Sequence, residues 1–367
     1  MTFCDSIWTF SDMDRNLSEP EILRRSAGGD IQHDGHVRVG PFMAIPDILQ
    51  KQGHDPSVVA ASAGFELRLL DDPDNMISYL TADRLLSRCA AVTRCEHFGL
   101  LIGKTVSPSH LGLAGYLTRT AKDVSSALET LVEHLDLHDR GGVPTLHRLP
   151  DESSLGYTIY QQGTEATAQI YDLAIAAAYN ILRAVCGEGW SAKRILLSRP
   201  RPSNEAPYKH FFHAPVHFET KESAVVFPSH WLDQPVPSSD PLLFRYLSDQ
   251  AREMHAQLHV DLVSELEPLL YQCLKNQECH VTTVARYLGI HERTLNRRLH
   301  AEGTTFRQEL ERARQTLSQR LLSTTTVPMV EVASSVGYSD VSTFSRAFKR
   351  WVGMSPGKWR ASNRGRQ

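Results

Sequence analysis

Residues 281–360 constrain this chain more than any other stretch. They carry one pattern twice: an apolar helix, a glycine, then a second helix rich in polar and basic groups. The first copy is VTTVARYLGIHERTLNRRL at 281–299 and the second is PMVEVASSVGYSDVSTFSRAF at 328–348. Gly289 and Gly337 fall where a helix C-terminus turns through positive φ. Ala285 and Ala333 are small enough to let the next helix cross closely, as in a helix-turn-helix. The supporting helices turn Val284, Ala285 and Leu288 inward in the first copy, and Val330, Val332, Ala333 and Val336 in the second. Between the copies, residues 305–323 read as one helix, with Phe306, Leu310, Ala313, Leu317 and Leu321 along a single stripe.

The charge follows the same division. Residues 280–367 hold 15 Lys and Arg against 6 Asp and Glu, while the rest holds 24 against 36. The net charge of −3 thus conceals a basic end on an acidic body, the pattern expected when one part meets phosphate and the other does not. With 367 residues there is room for two or three domains. The six cysteines, Cys4, Cys89, Cys95, Cys186, Cys273 and Cys279, show no CxxC spacing and read as reduced thiols. The first residues lack the basic and apolar regions of a signal peptide. The most apolar stretch, 171–186, is interrupted by Asp172, Asn180 and Arg183, too short and polar for a bilayer span. A cytoplasmic location is expected.

Upstream, residues 1–35 read as a poorly ordered leader with a short helix at 19–26. Helices are expected over 57–64, 81–93, 120–138, 166–186, 242–259 and 261–274. The segment 120–138 repeats Val124, Ala127, Leu128, Leu131, Val132 and Leu135 at spacings of three and four. Strands are expected at 146–148, 155–160, 194–198, 216–219 and 224–227. The Pro- and Ser-rich run 233–241 marks a domain end. The fold class is therefore an α+β N-terminal domain, a small sheet with several helices, plus an all-α C-terminal domain with two helix-turn-helix units joined by a long helix. The divisions expected are a leader at 1–35, an upstream domain at 36–241, a linker helix at 242–260 and the basic helical domain at 261–367.

A helix fits the major groove, where base edges display a full donor and acceptor code. Around buried Leu295 and Leu299 the first unit offers Arg293, Asn296, Arg297 and Arg298. Arg can grip guanine O6 and N7, and Asn can grip adenine N6 and N7. In the second unit Asp340 suits an N-cap; Val341, Ser342 and Arg346 are expected outward, with Phe344, Ala347 and Phe348 inward. Thr343, Ser345, Lys349 and Arg350 are placed for phosphates. The joining helix of about 18 residues spans roughly 27 Å. Successive major-groove faces lie about 34 Å apart, so one chain could read two half-sites.

The run GYSDVSTFSRAFKRWVGMSPGKWR at 337–360 resembles the DNA-binding domain of the AraC/XylS family of bacterial transcription regulators, and the resemblance covers about 280–360. It implies base reading by Arg293, Asn296 and Arg297 in the first unit, and by Val341, Ser342 and Arg346 in the second. His291 stands where the family usually has Ser at the helix N-cap, so a weaker cap is expected there. The stretches FGLLIG at 98–103, HLGLAGY at 110–116 and FFHAPVHF at 211–218 resemble the arabinose-binding-type sensor domain of the family's ornithine-utilisation and virulence-regulator branch. That resemblance implies a sensing or dimerising domain over about 40–245 without naming a ligand.

Other patterns compete with these readings. Residues 353–357 match the G-x-S-x-G nucleophile elbow, but Pro356 lacks the N–H an oxyanion hole needs, and a helix terminator is the simpler reading. His210, His213 and His217 would form a metal face on a helix, yet Pro215 and the β-like residues after it oppose a helix there. His134 and His138 read as a polar edge of their helix. Phe98, Tyr116, Tyr157, Tyr160 and Phe227 could line a pocket or simply fill a core, and Arg119, Arg183 and Arg194 could anchor a carboxylate or be surface charges.

The sequence thus points to a non-enzymatic, sequence-specific transcription regulator, an activator, acting on promoter DNA with RNA polymerase as partner. Its upstream domain senses a small molecule, forms a homodimer, or does both. No metal or cofactor is expected. Two alternatives are weighed: a regulator controlled by its abundance alone, and a DNA alkyl-transfer repair protein with the same reader. A polar-lined cavity between the long helices and the sheet would count against the first. The scattered cysteines count against the second, which needs a zinc-held, activated thiol.

Overall fold

The computed structural model describes residues 35–161, 163–257, 262–275, 279–288 and 290–363. The expected leader and its helix at 19–26 lie outside these residues, Gly35 excepted, as does Gly289.

The upstream region opens with β1 (His36–Arg38), paired antiparallel with β2 (Met76–Ser78). Between them lie α1 (Ile45–Lys51) and α2 (Pro56–Ser62), the latter capped by the Asp55 side chain and started by proline. Helix α3 (Tyr79–Thr93) follows, then α4 (Phe98–Gly103), α5 (Leu113–Thr120) and α6 (Val124–His134). Strands β3 (Gly142–Arg148) and β4 (Glu152–Ile159) form a hairpin. The long helix α7 (Thr167–Cys186) leads to β5 (Arg194–Leu197), α8 (Ala206–Phe212), β6 (Val216–Phe218) and β7 (Ser223–Pro228). The sheet order is β3-β4-β7-β5-β6, antiparallel except for the β5–β6 pair.

Helix α7 buries its Ala-rich length against this sheet and against α4. Gly99 and Gly103 make that crossing close, because a Cβ on either would run into the α7 backbone at Gln169 or Leu173. Gln169 accepts from the Gly99 N–H at 2.8 Å and donates to the Glu96 carbonyl at 3.0 Å. Inside, the Oδ2 of Asp172 pairs with Arg199 and accepts from the Tyr208 hydroxyl at 2.6 Å, so one oxygen of the polar residue that interrupts the apolar run is satisfied while its Oδ1 has no hydrogen-bond partner.

Three expectations for this region change. The helix predicted over 120–138 is shorter at both ends: Asp123 starts α6 by accepting from the Ser126 N–H at 2.8 Å, and a 3-10 turn at 135–137 replaces its last turn. His134 and His138 are not an exposed edge; both are buried, and His138 lies beyond α6 after a 3-10 turn. Helix α8 was not predicted, nor were β1 and the start of β3. Pro144 sits inside β3 because that strand is a sheet edge, where a missing N–H is tolerated.

Helix α9 (Pro241–Gln257) packs on α5. The C-terminal part is all helical: α10 (Leu262–Lys275), α11 (Val281–Tyr287), α12 (Glu292–Ala301), α13 (Phe306–Thr324), α14 (Met329–Ser335), α15 (Val341–Val352) and α16 (Pro356–Asn363). Its core joins Leu266, Tyr271, Leu299, Leu322, Phe344 and Phe348 from four of these helices. No helix among the described residues is long and apolar enough to cross a membrane.

Candidate nucleic-acid interface

In the first unit α11 turns Val284 and Ala285 into the core, with Leu288 half-buried against it. The chain then turns sharply: the Ile290 N–H bonds back to the Ala285 carbonyl at 3.0 Å. His291 is the N-cap of α12, in extended geometry, and its Nδ1 accepts from the Arg293 N–H at 3.2 Å. The unusual histidine therefore does cap the helix, provided that nitrogen carries no proton. Leu295 and Leu299 are fully buried, which leaves Arg293, Asn296, Arg297 and Arg298 on the exposed side. Behind them Glu302 accepts from the N–H groups of Leu262 and Val263 at 3.1 and 3.2 Å, tying the unit to the start of α10.

Helix α13 begins with Thr305, whose hydroxyl accepts from the Gln308 N–H at 3.3 Å and donates to the Gln308 side chain at 2.9 Å. Leu310, Ala313, Leu317 and Leu321 are buried along its stripe and Phe306 is half-buried, as the spacing predicts.

In the second unit α14 buries Val332 and Ala333, with Val336 behind them; Val330 is exposed, against expectation, because it lies on the opposite side of this short helix. Gly337 follows at φ +75°, the left-handed turn its position demands. Arg314 of α13 lies over the Tyr338 ring at 5.0 Å and braces the turn. Asp340 caps α15 by accepting from the Thr343 N–H at 2.7 Å, a bond that holds its carboxyl below the usual range. Phe344, Ala347 and Phe348 are buried, while Ser342, Thr343, Arg346, Lys349 and Arg350 are exposed. Val341 is half-buried against the core rather than fully outward. Arg346 donates to the Thr343 hydroxyl at 3.3 Å. Arg350 meets Glu311 of α13 at 3.1 Å, an exposed pair that costs little to exchange for a phosphate. Helix α15 ends at Gly353, φ +80°, and α16 starts at Pro356, so the G-x-S-x-G letters are a helix terminator.

The other candidates scatter. His210 lies on α8, His213 is the left-handed residue that ends it, and His217 is on β6; among the described residues no three metal-ligating side chains are grouped to hold an ion. Phe98 and Phe227 are core residues, and Tyr116 is exposed. Arg194 pairs with Glu152 at 2.6 Å, and Arg119 and Arg183 are exposed. Cys89 and Cys186 are buried with thiols pushed up to about 12, the reverse of an activated nucleophile.

Sequence reasoning missed the seam between the two parts. Tyr160, just after β4, stacks on Tyr271 of α10 with ring centroids 5.2 Å apart. Arg320 of α13 donates to the Gln161 carbonyl at 2.6 Å and to the Thr164 hydroxyl at 3.2 Å. An arginine off the apolar stripe of α13 is the only sequence signal of this contact, and it does not name a partner.

This is the architecture of a two-part DNA-binding regulator, a pair of helix-turn-helix units joined to an α+β domain. Residues 53–236 match the family model "arabinose-binding domain of AraC transcription regulator, N-term", and residues 284–362 match a helix-turn-helix domain. The chain belongs to the AraC family of transcription regulators. It is 24% identical over 328 residues to the ornithine utilization regulator of Pseudomonas aeruginosa, covering 88% of this chain and 96% of the relative. It is likewise 24% identical over 327 residues to the transcriptional regulator VirS of Mycobacterium tuberculosis, covering 89% and 96%. A third relative, the transcriptional regulator VqsM of Pseudomonas aeruginosa, is 26% identical over 272 residues, covering 72% and 83%. These relatives are transcription regulators, not enzymes.

Proposed function

We propose that the chain activates transcription by reading two promoter half-sites at once, and that its upstream domain senses a small molecule. The observation that carries this is the paired exposure of α12 and α15. Each buries its apolar side and leaves a polar, basic side free, and one helix, α13, joins the two units. Arg293, Asn296 and Arg297 on α12, with Val341, Ser342 and Arg346 on α15, read bases. Arg298, Thr343, Lys349 and Arg350 hold phosphates. The functional divisions follow 36–241 for sensing, 242–260 for linkage and 261–367 for DNA. Contact with RNA polymerase and action in the cytoplasm belong to the same reading. Homodimerisation is supported by exposed Leu242, Leu243 and Tyr246 on α9.

Selection of binding sites from random duplexes, followed by footprinting, tests the reading. Arg346→Ala should cost about 1–3 kcal/mol of site affinity and relax the choice of base at one position. Lys349→Ala should weaken all sequences alike and lower the salt slope by about one. Unchanged binding in both variants would remove α15 from the interface.

A further inference from the structure

The upstream domain contains a partly open cavity of about 90 Å³ lined mainly by α3, α6, α7 and the β3–β4 hairpin. Its wall is almost wholly apolar, with Phe42, Leu86, Leu131, Leu155, Ile170 and Ile181 prominent. It is not the polar-lined cavity that the sequence reading set as the sign of an effector site. One corner is polar: Tyr79, Tyr157, His138 and Asp139 meet there. Most of that corner is internally satisfied. The Tyr79 and Tyr157 hydroxyls lie 3.1 Å apart, and Asp139 accepts from Tyr157 and from the Gly141 N–H at 2.8 Å. Two glycines make room for the rings, because a Cβ on Gly141 or Gly142 would strike Tyr79 or Tyr157.

His138 is the exception. Its side chain is buried, and its Nδ1 has no hydrogen-bond partner. An unpartnered buried polar atom is costly to the fold, so a ligand that supplies its partner is favoured. Burial, aided by Arg38, drives this imidazole down to about 3, so it is neutral near pH 7 and can share a hydrogen bond without carrying charge. No Lys or Arg lines the cavity to balance an anion. Asp139, the acid in the corner, already has its donors, so a cation would gain little there for the water it gave up.

We propose that this cavity binds a small neutral effector, a mainly apolar ring or short chain carrying one hydroxyl or carbonyl, with His138 Nδ1 as its hydrogen-bond partner. The assignment rests on the effector-sensing reading above. The space is about three fifths of the roughly 150 Å³ that accepts benzene in an engineered cavity, so one small ring is the upper limit and it would extend into the open side of the cavity. The corner also adjoins the seam. The Gly141 carbonyl accepts from the Tyr160 and Gln161 N–H groups at 2.9 and 3.0 Å, and these two residues carry the contacts to α10 and α13.

The test is calorimetric titration of the full chain with phenol, toluene and benzoate, three probes of similar shape and different polarity. Phenol should bind saturably, toluene about tenfold more weakly, which is what one ordinary hydrogen bond supplies, and benzoate not measurably. His138→Leu should erase the gap between phenol and toluene. Ala178→Leu, which fills the cavity from α7, should abolish uptake of both and serves if the histidine variant does not fold. Absence of saturable phenol binding, benzoate binding as well as phenol, or discrimination that survives His138→Leu overturns the assignment. Selective DNA binding is measured on the same preparation. Selective DNA binding without phenol uptake rejects the cavity ligand alone; phenol uptake without it rejects the regulator's DNA reading instead.

Discussion

Single residues carry the chemistry proposed for recognition, and here the sequence is most transparent. Arg293, Asn296, Arg297, Ser342 and Arg346 are exposed because the leucines and phenylalanines beside them are buried, and periodicity alone separates the two sets. Buried polar residues are not legible in this way. Asp139 shows why: its burial depends on a hairpin and on two tyrosines 60 and 18 positions away in the chain. Burial raises its carboxyl to about 6. In the unfolded chain an aspartate titrates near ~3.9. Between these values the folded state holds a proton that the unfolded state has lost. Its contribution is therefore fully present below about pH 4 and is lost as pH rises through about 6. Asp172, also raised to about 6 by burial, acts with the same sign. Urea denaturation of the wild type and Asp139→Asn at pH 4 to 7 should show their stabilities drawing together or crossing as pH rises, with the variant's curve the flatter. Parallel curves would assign the whole dependence to Asp172 and other groups.

Among elements, the reader helices follow from local signals, whereas several upstream elements do not. Asp340, Thr305, Gly337 and Gly353 are the caps and stops of the helices they flank, and each announces itself in sequence. The helix expected over 120–138 forms but starts only at the Asp123 cap and gives way to a 3-10 turn at 135–137, because Leu135 keeps the apolar rhythm past the helix end. Strand β1 is three residues long and exists only because β2 lies beside it, so no periodicity could have exposed it. The turn of the second unit offers a direct check on the local argument. At φ +75° Gly337 holds a conformation that costs other residues about 1–2 kcal/mol. Arg314 Nη2 would stand 3.3 Å from an added Cβ, a contact that a flexible side chain can relieve. Gly337→Ala should therefore destabilise by the backbone cost alone, about 1–2 kcal/mol in chemical denaturation. A neutral effect would mean that this turn is not held in the left-handed region.

At the scale of the molecule, an acidic upstream domain is joined to a basic helix-turn-helix part through contacts that no local pattern foretells. Residues 34–367 form a single contact unit. Val143 and Tyr160 of the α+β domain are counted among the reader's own core, beside Leu266 and Tyr271. The reader's longest helix is thus fastened twice: along its stripe to the other helices, and through Arg320 to the Gln161 carbonyl and the Thr164 hydroxyl. Hydrogen bonds to a charged donor contribute about 1.5–3 kcal/mol each, a large fraction of what commonly holds two domains to one arrangement. If that clamp makes the two parts unfold together, Arg320→Ala should divide the calorimetric transition into two, leaving the helix content at 20 °C unchanged. It should also alter operator affinity, because α13 sets the relation of α12 to α15. The stacked Tyr160 and Tyr271 rings would remain, so Tyr271→Ala combined with Arg320→Ala should widen the separation further. A single transition in the double variant, at unchanged operator affinity, would show that these two contacts are not what couples the reader to the domain it is packed against.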